Sequence, residues 1–165
     1  MSKTEIEPKE SQNNCEFSKE NYLNCCSCGN GSKIIAQESR RKYILENPSR
    51  KAVCRIRVDQ CVITSSQTKK CDYLILVCND NVAYLVELKG RDFLGSVRQL
   101  ASTIDELRLL FPILPKRIYA RAVLTKSPSV KAITNDPDVL NLKKKLRKVN
   151  GDFKYGTNQY RTDQA

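Results

Sequence analysis

Apolar positions are scattered without a period through residues 1–24, among polar and charged neighbours. That composition predicts a flexible tail. The run Cys25-Cys26-Ser27-Cys28-Gly29-Asn30-Gly31 follows as a turn-rich loop, so residues 1–32 read as one flexible, cysteine-containing segment. Ser32 has the chemistry of a helix cap. Lys33 to Glu46, closed by Pro48, reads as a helix with mixed apolar and charged faces. From Ala52 to Ile63 the pattern changes to alternation, Arg55 and Arg57 against Ile56 and Val58, which predicts a strand. Two apolar runs, 71–78 and 82–89, are joined by Asn79-Asp80-Asn81 and predict a hairpin. After Gly90 the apolar positions are Phe93/Leu94, Val97, Leu100/Ala101, Ile104, Leu107 and Leu110/Phe111, a helical spacing that Pro112 stops. Residues 117–125 read as a strand with Ile118, Ala120, Ala122 and Leu124 on one face. A last helix, from about Asp138 to Val149, carries Val139, Leu142, Leu146 and Val149 as its stripe. Residues 150–165 read as a polar tail.

The order α, β, β, β, α, β, α predicts an α/β domain over residues 33–149, with a mixed sheet flanked by helices and a basic helix at its C-terminal end. The length of 165 residues with 40 % apolar residues suits one core. No run of 18 apolar residues occurs, and the N-terminus lacks the apolar stretch of a secretory signal. Both predict a cytoplasmic protein without a membrane partner.

Charge narrows the partner. There are 29 Lys and Arg against 18 Asp and Glu, a net +11, and the first 20 residues are acidic on balance. The folded part is therefore more basic still, which suits a polyanion, nucleic acid first. Lys143, Lys144, Lys145, Arg147 and Lys148 on the last helix, with Arg40, Arg41 and Lys42, are the expected phosphate contacts. The chain has no His, which excludes every mechanism built on a histidine base.

Within the predicted hairpin, Glu87 and Lys89 lie two apart and share a face. If the loop is Asn79-Asp80, Asp72 falls opposite Glu87; if it is Asp80-Asn81, Asp72 falls opposite Lys89. Either register gathers Asp72, Glu87 and Lys89. Two carboxylates are hard oxygen ligands suited to Mg²⁺ or Mn²⁺, and an ammonium beside them can position water or offset charge on a phosphate.

The run Cys71-Asp72-Tyr73-Leu74-Ile75-Leu76, the gap, then Glu87-Leu88-Lys89-Gly90 and a long helix resembles the PD-(D/E)xK phosphodiesterases, over roughly residues 33–125. The resemblance implies a restriction-endonuclease-like αβββαβ core and a metal-dependent nuclease acting most readily on DNA, with room for a homodimer. Asp72 and Glu87 would then be metal ligands and Lys89 the catalytic lysine. Glu38, from the first predicted helix, and Gln99, from the long one, would be accessory residues. The same fold also serves non-catalytic modules that bind nucleic acid or protein, which is the alternative function.

Eight cysteines in a protein read as cytoplasmic imply thiols or metal ligands. Cys15, Cys25, Cys26 and Cys28 are the candidate zinc set, which the adjacency of Cys25 and Cys26 disfavours. Cys54, Cys61, Cys71 and Cys78 are expected to be small core residues.

Overall fold

The computed structural model of this chain describes residues 23–88, 90–111 and 114–165. A 3₁₀ turn at Leu23–Cys25 leads into β1 (Cys26–Gly29), β2 (Lys33–Glu38), β3 (Arg41–Glu46), β4 (Val53–Arg57), β5 (Tyr73–Val77) and β6 (Val82–Glu87). Helix α1 (Phe93–Leu110) precedes β7 (Arg117–Leu124). Helices α2 (Val130–Asn135) and α3 (Pro137–Arg147) precede β8 (Phe153–Thr157) and β9 (Gln159–Tyr160). Six strands form a mixed sheet in the order β1-β4-β5-β6-β7-β8, and β2-β3-β9 form a second, smaller one. β4, β5 and β6 are an antiparallel meander. β6, β7 and β8 run parallel, with helical crossovers between them. The architecture is the α/β class expected, with a mixed sheet and flanking helices.

Periodicity explains the layers. On one face of the large sheet, Leu74, Leu76, Ala83, Leu85, Ile118, Ala120, Ala122 and Leu124 pack against Val97, Leu100, Ile104 and Leu107 of α1 and Val139, Leu142 and Leu146 of α3. Arg98 meets Asp138 at 2.7 Å and Lys145 meets Asp105 at 2.5 Å, so α1 and α3 run side by side in the same direction. On the other face, Ile75, Val77, Tyr84, Val86 and Val123 meet Ala36, Tyr43, Leu45 and Tyr160 of the small sheet.

The two sheets correct three expectations. Residues 33–46 are a hairpin, not a helix: β2 and β3 pair from Lys33↔Glu46 to Glu38↔Arg41. Ala36, Tyr43 and Leu45 are fully buried against the large sheet, and β-branched Ile34, Ile35 and Ile44 suit a strand. Ser39 closes the turn at φ 53°. Residues 150–165 are not a polar tail but supply β8 and β9, and the small sheet extends to the last residue, whose N–H donates to Glu46 O at 2.8 Å. Residues 26–29 are likewise not a loose loop but the edge strand β1, paired with β4. Residues 1–22 of the predicted flexible segment lie outside the described residues. The folded unit therefore extends beyond the predicted 33–149 at both ends.

What pins the second layer is Arg121. It sits on the β7 face opposite Ala120 and Ala122 and is 2 % exposed. Its Nε donates to Asp163 Oδ2 at 2.6 Å and its Nη2 to Asp163 Oδ1 at 3.1 Å, a two-point grip on the C-terminal segment. Its Nη1 donates to Asp152 Oδ1 at 2.6 Å. The rings of Tyr84, Tyr119 and Tyr160 lie 5.1–5.8 Å from the guanidinium carbon. Tyr43 O–H donates to Asp163 Oδ2 at 2.8 Å. Burial pulls against the charged form of Arg121, but the bonds to Asp163 and Asp152 outweigh it and hold the proton firmly. Removing one partner of such a pair strands the other charge in a dry interior. Asp163→Ala should therefore lower stability by about 3–5 kcal/mol in urea unfolding. Asp152→Ala should cost clearly less, because Asp152 is 46 % exposed. An Asp163→Ala loss below about 1 kcal/mol would show that the cage holds without its anion.

Candidate functional site

The β5–β6 ladder takes the register that an Asn79-Asp80 loop requires: Val77 pairs with Val82 and Tyr73 with Val86. Asn81 turns the corner at φ 54°. One residue beyond Tyr73 the ladder changes. Asp72 N–H donates to Val86 O at 3.1 Å, and Asp72 Oδ2 accepts the Leu88 N–H at 2.7 Å. The carboxylate stands in for a strand carbonyl at the end of the ladder. It is thereby fixed beside the residue that follows Glu87. Both acids are buried, Asp72 at 5 % exposure and Glu87 at 0 %.

Cys71 reports on both. Its thiol is pushed far up, first by burial, then by the charge of Glu87, with Asp72 adding. A single sulfur thus feels two carboxylates. The Cys71 N–H donates to Thr103 Oγ1 at 2.8 Å, and that hydroxyl donates to Gln99 O at 2.7 Å, which ties the start of β5 to α1. From the other layer, Arg41 Nε donates to the Leu88 carbonyl. The sequence gives no sign of this contact, because a helix over 33–46 places Arg41 on a solvated face, whereas the hairpin turns it toward Leu88. Lys89 lies outside the described residues.

The remaining predicted site residues are dispersed. Glu38 is exposed at the tip of the β2–β3 hairpin. Arg41, opposite Glu38 in the register, reaches Leu88, so Glu38 stands at the same end of the sheet as Glu87 but in the other layer. Gln99 lines a polar cleft of about 440 Å³ with Asp59, Gln60, Gln67, Lys69 and Lys70. Asp59, left without a role in the sequence, pairs with Lys70 at 3.6 Å. The basic residues do not form one surface: Lys143, Lys144, Lys145, Arg147 and Lys148 belong to the helical layer, Arg40, Arg41 and Lys42 to the small sheet. Lys145 is engaged by Asp105.

The cysteine expectations are overturned in part. Cys25 is bonded to Cys61 and Cys28 to Cys54, so Cys25 and Cys28 are not zinc thiolates, and Cys54 and Cys61 are not free core thiols; Cys78 is disulfide-bonded too. The strand pairing Cys28↔Cys54 brings that second pair together. Cys26 is half-buried, Cys71 is fully buried as expected, and both are free thiols. Cys15 lies outside the described residues.

Among the described residues, no three His, Cys, Asp or Glu side chains gather as a metal site. Asp72 and Glu87 are nonetheless a donor set that fits Mg²⁺ or Mn²⁺. Such ions keep several waters and are often held by one or two carboxylates together with a substrate phosphate. No described helix is long and apolar enough to cross a membrane. Comparison with family models, with characterised proteins and with solved structures finds no match.

The raised thiol and phenols give the site a pH signature. Burial first, and then Asp163 and Tyr119 among its neighbours, pushes Tyr84 up to about 12. Burial and Asp163 push Tyr43 up as well. A group whose proton is held more tightly when folded contributes stability that is full below its unfolded value and is lost as pH rises through its folded value. Stability should therefore be flat up to about pH 9, fall as unfolded Cys71 passes its ordinary 9.0, and fall more steeply above about pH 10 as the two tyrosines join. Urea unfolding from pH 7 to pH 11 reads this directly. A Cys71→Ala variant should lose most of the first decline, the remainder coming from Cys26, whose thiol burial also pushes up, and should keep the second.

Proposed function

We propose that this protein is a metal-dependent phosphodiesterase that cleaves nucleic acid, DNA in preference to RNA, on a restriction-endonuclease-like variant of the α/β fold. The observation that carries the reading is the placement of Asp72: its carboxylate is fastened to the backbone directly after Glu87, at the end of two central strands. The βββαβ order of β4, β5, β6, α1 and β7 supports it. The leading helix of the family pattern is replaced by the β2–β3 hairpin. The cytoplasmic location belongs to this reading too, and the disulfides weigh against it, because such bonds persist mainly in oxidising compartments.

In this reading Asp72 and Glu87 hold Mg²⁺ or Mn²⁺. Such an ion, when bound, polarises a phosphate oxygen and lowers the pKa of water. The chain's own residues do the rest. The Leu88 N–H keeps the Asp72 carboxylate oriented at the residue that follows Glu87. Burial keeps bulk water from screening the pair. Lys89, the residue after Leu88, is the group proposed to orient the attacking water or to offset charge on the phosphate. The second reading, a non-catalytic binding module, draws on one observation: the carbonyl of Leu88, the residue after Glu87, already accepts from Arg41.

Cleavage of plasmid, single-stranded and junction substrates should require added Mg²⁺ or Mn²⁺ and stop with a chelator. Asp72→Asn and Glu87→Gln should weaken Mn²⁺ binding, read by calorimetry. Lys89→Ala should leave Mn²⁺ bound and slow cleavage by about 10²–10³-fold, the range seen when one charge-stabilising donor is removed. A wild-type protein that binds Mn²⁺ but cuts no substrate establishes the non-catalytic module. A Lys89→Ala protein that cuts at the wild-type rate moves the activity to another site.

A further inference from the structure

The carboxyl ends of β6, β7 and β8 point the same way, and the segments that leave them are stitched together. The Thr125 N–H and its hydroxyl both donate to Gly90 O at 2.8 Å. Asn158 N–H donates to Leu124 O at 2.7 Å, and Lys42 N–H donates to Asn158 O at 3.0 Å. Ser127 and Thr157 hydroxyls lie 3.2 Å apart. Arg41 reaches Leu88, and a Cβ at Gly90 would come within 3.1 Å of Arg41 Nη1. The tip of the β2–β3 hairpin, the turn before α1, the end of β7 and the β8–β9 turn thus form one continuous rim. It stands at the same end of the sheet as Glu87.

The rim is cationic. Arg40, Lys42, Arg91 and Lys126 are exposed on it, beside the half-buried Arg41. The acids nearby are Glu38 and Asp92, and Asp92 is committed to the Gly95 N–H at 2.8 Å. Some surface cations elsewhere are answered by the protein itself, Lys51 by Asp80, Arg98 by Asp138, Lys145 by Asp105 and Arg161 by Glu46. Lys144 and Lys148 of α3 are not, among the described residues, but α3 packs on the helical face of the sheet rather than at the end where Glu87 lies. Among the described residues, none of Arg40, Lys42, Arg91 and Lys126 is in an ion pair. Unanswered like charges held together repel one another, an arrangement that a bound polyanion relieves. In open α/β sheets, ligands also bind outside the carboxyl ends of the parallel strands.

We infer that this rim, not the basic face of α3, is the surface on which the phosphate backbone of a nucleic-acid duplex docks. It is the substrate surface of the site proposed above, and it rests on that reading for its partner. The described aromatic rings are buried or half-buried, and none belongs to the rim, so the rim offers charge and hydroxyls without a stacking platform. Single-strand binding surfaces combine charge with stacking. Charge alone tracks a duplex backbone.

Binding is measured by fluorescence anisotropy in a chelator, so that no cleavage enters, against a duplex and a single strand of the same sequence and across a salt series. Each phosphate contact contributes about 0.9 to the slope of log K against log salt. The triple variant Arg40→Gln/Arg91→Gln/Lys126→Gln should weaken duplex binding at least tenfold and flatten the slope by about 2–3. Lys144→Gln/Lys148→Gln on α3 should change affinity less than threefold. Thermal melts of both variants should match the wild type, since the changed side chains are exposed. The inference is overturned if the α3 variant takes the affinity and the rim variant does not, if wild type binds no duplex or prefers the single strand, or if the rim variant loses phosphatidylserine vesicles rather than duplex. Failure of the catalytic reading looks different. A wild type that binds through the rim and never cuts with either metal leaves the docking surface standing and removes the nuclease. A wild type that cuts while the rim variant binds unchanged removes the rim alone.

Discussion

The architecture depends on Arg121 being answered inside the protein. Its guanidinium lies between the large sheet and the small one, and without an anion there the two layers would close over an uncompensated charge. Asp163 supplies that anion from the segment after β9, and Tyr43, Tyr84, Tyr119 and Tyr160 wall the pair off from water. The consequence is topological. A strand of only two residues, β9, is too short to hold a sheet by its own ladder, yet it carries Tyr160 into the cage and runs parallel to β3. The two-point ion pair therefore fixes this segment together with its backbone bonds to Lys42 and Glu46.

The sequence disclosed the helical layer and the meander well, because those elements rest on local pattern. Phe93–Leu110 shows its stripe at 93, 97, 100, 104 and 107. The Asn79-Asp80-Asn81 turn leaves two β5–β6 registers that keep Asp72 on the face of Glu87, and the ladder takes the one with Asn79-Asp80 as the loop. The second layer was hidden for a physical reason. In β2 and β3 the adjacent pairs Ile34-Ile35 and Ile44-Leu45 blur the alternation of a one-sided strand and imitate a helical stripe. The C-terminal segment was hidden because its decisive residue is an aspartate. Nothing local in Arg161-Thr162-Asp163-Gln164-Ala165 says that Asp163 is buried, and its partner lies 42 positions back. Arg121 itself carried a faint sign: it interrupts a strand whose neighbours Val123 and Tyr119 are apolar or aromatic on the same face, a place where a solvated cation is not expected.

The site was half legible. The juxtaposition of Asp72 with the end of β6 follows from hairpin arithmetic, and the ladder holds that register as far as Tyr73↔Val86. What arithmetic could not give is the last step, where Asp72 gives up a regular backbone position and binds the Leu88 N–H with its side chain. Propensity rules treat a strand end as fraying. Here the side chain replaces the missing ladder bond and makes that end the rigid one. The zinc reading failed for a related reason. Cys25 and Cys28 are spaced as for one metal, but Cys25 in the 3₁₀ turn and Cys28 in β1 meet different partners, Cys61 in a loop and Cys54 in β4.

The core pair and the site are joined mechanically. Asp163 and Tyr160 hold β9, β9 holds β3, and β3 begins at Arg41, whose guanidinium takes the Leu88 carbonyl. Leu88 in turn gives its N–H to Asp72. One peptide segment is thus gripped on its carbonyl side by the small sheet and on its amide side by β5. This arrangement converts the buried ion pair at Arg121 into positional accuracy at Asp72 and Glu87, because neither layer can shift without breaking a bond at Leu88. It also accounts for a hairpin where a helix was expected. A helix packed on that face would have presented its side chains along a cylinder. The β2–β3 turn instead projects past the end of the large sheet, and so delivers Arg40, Arg41 and Lys42 to the rim where the strands end.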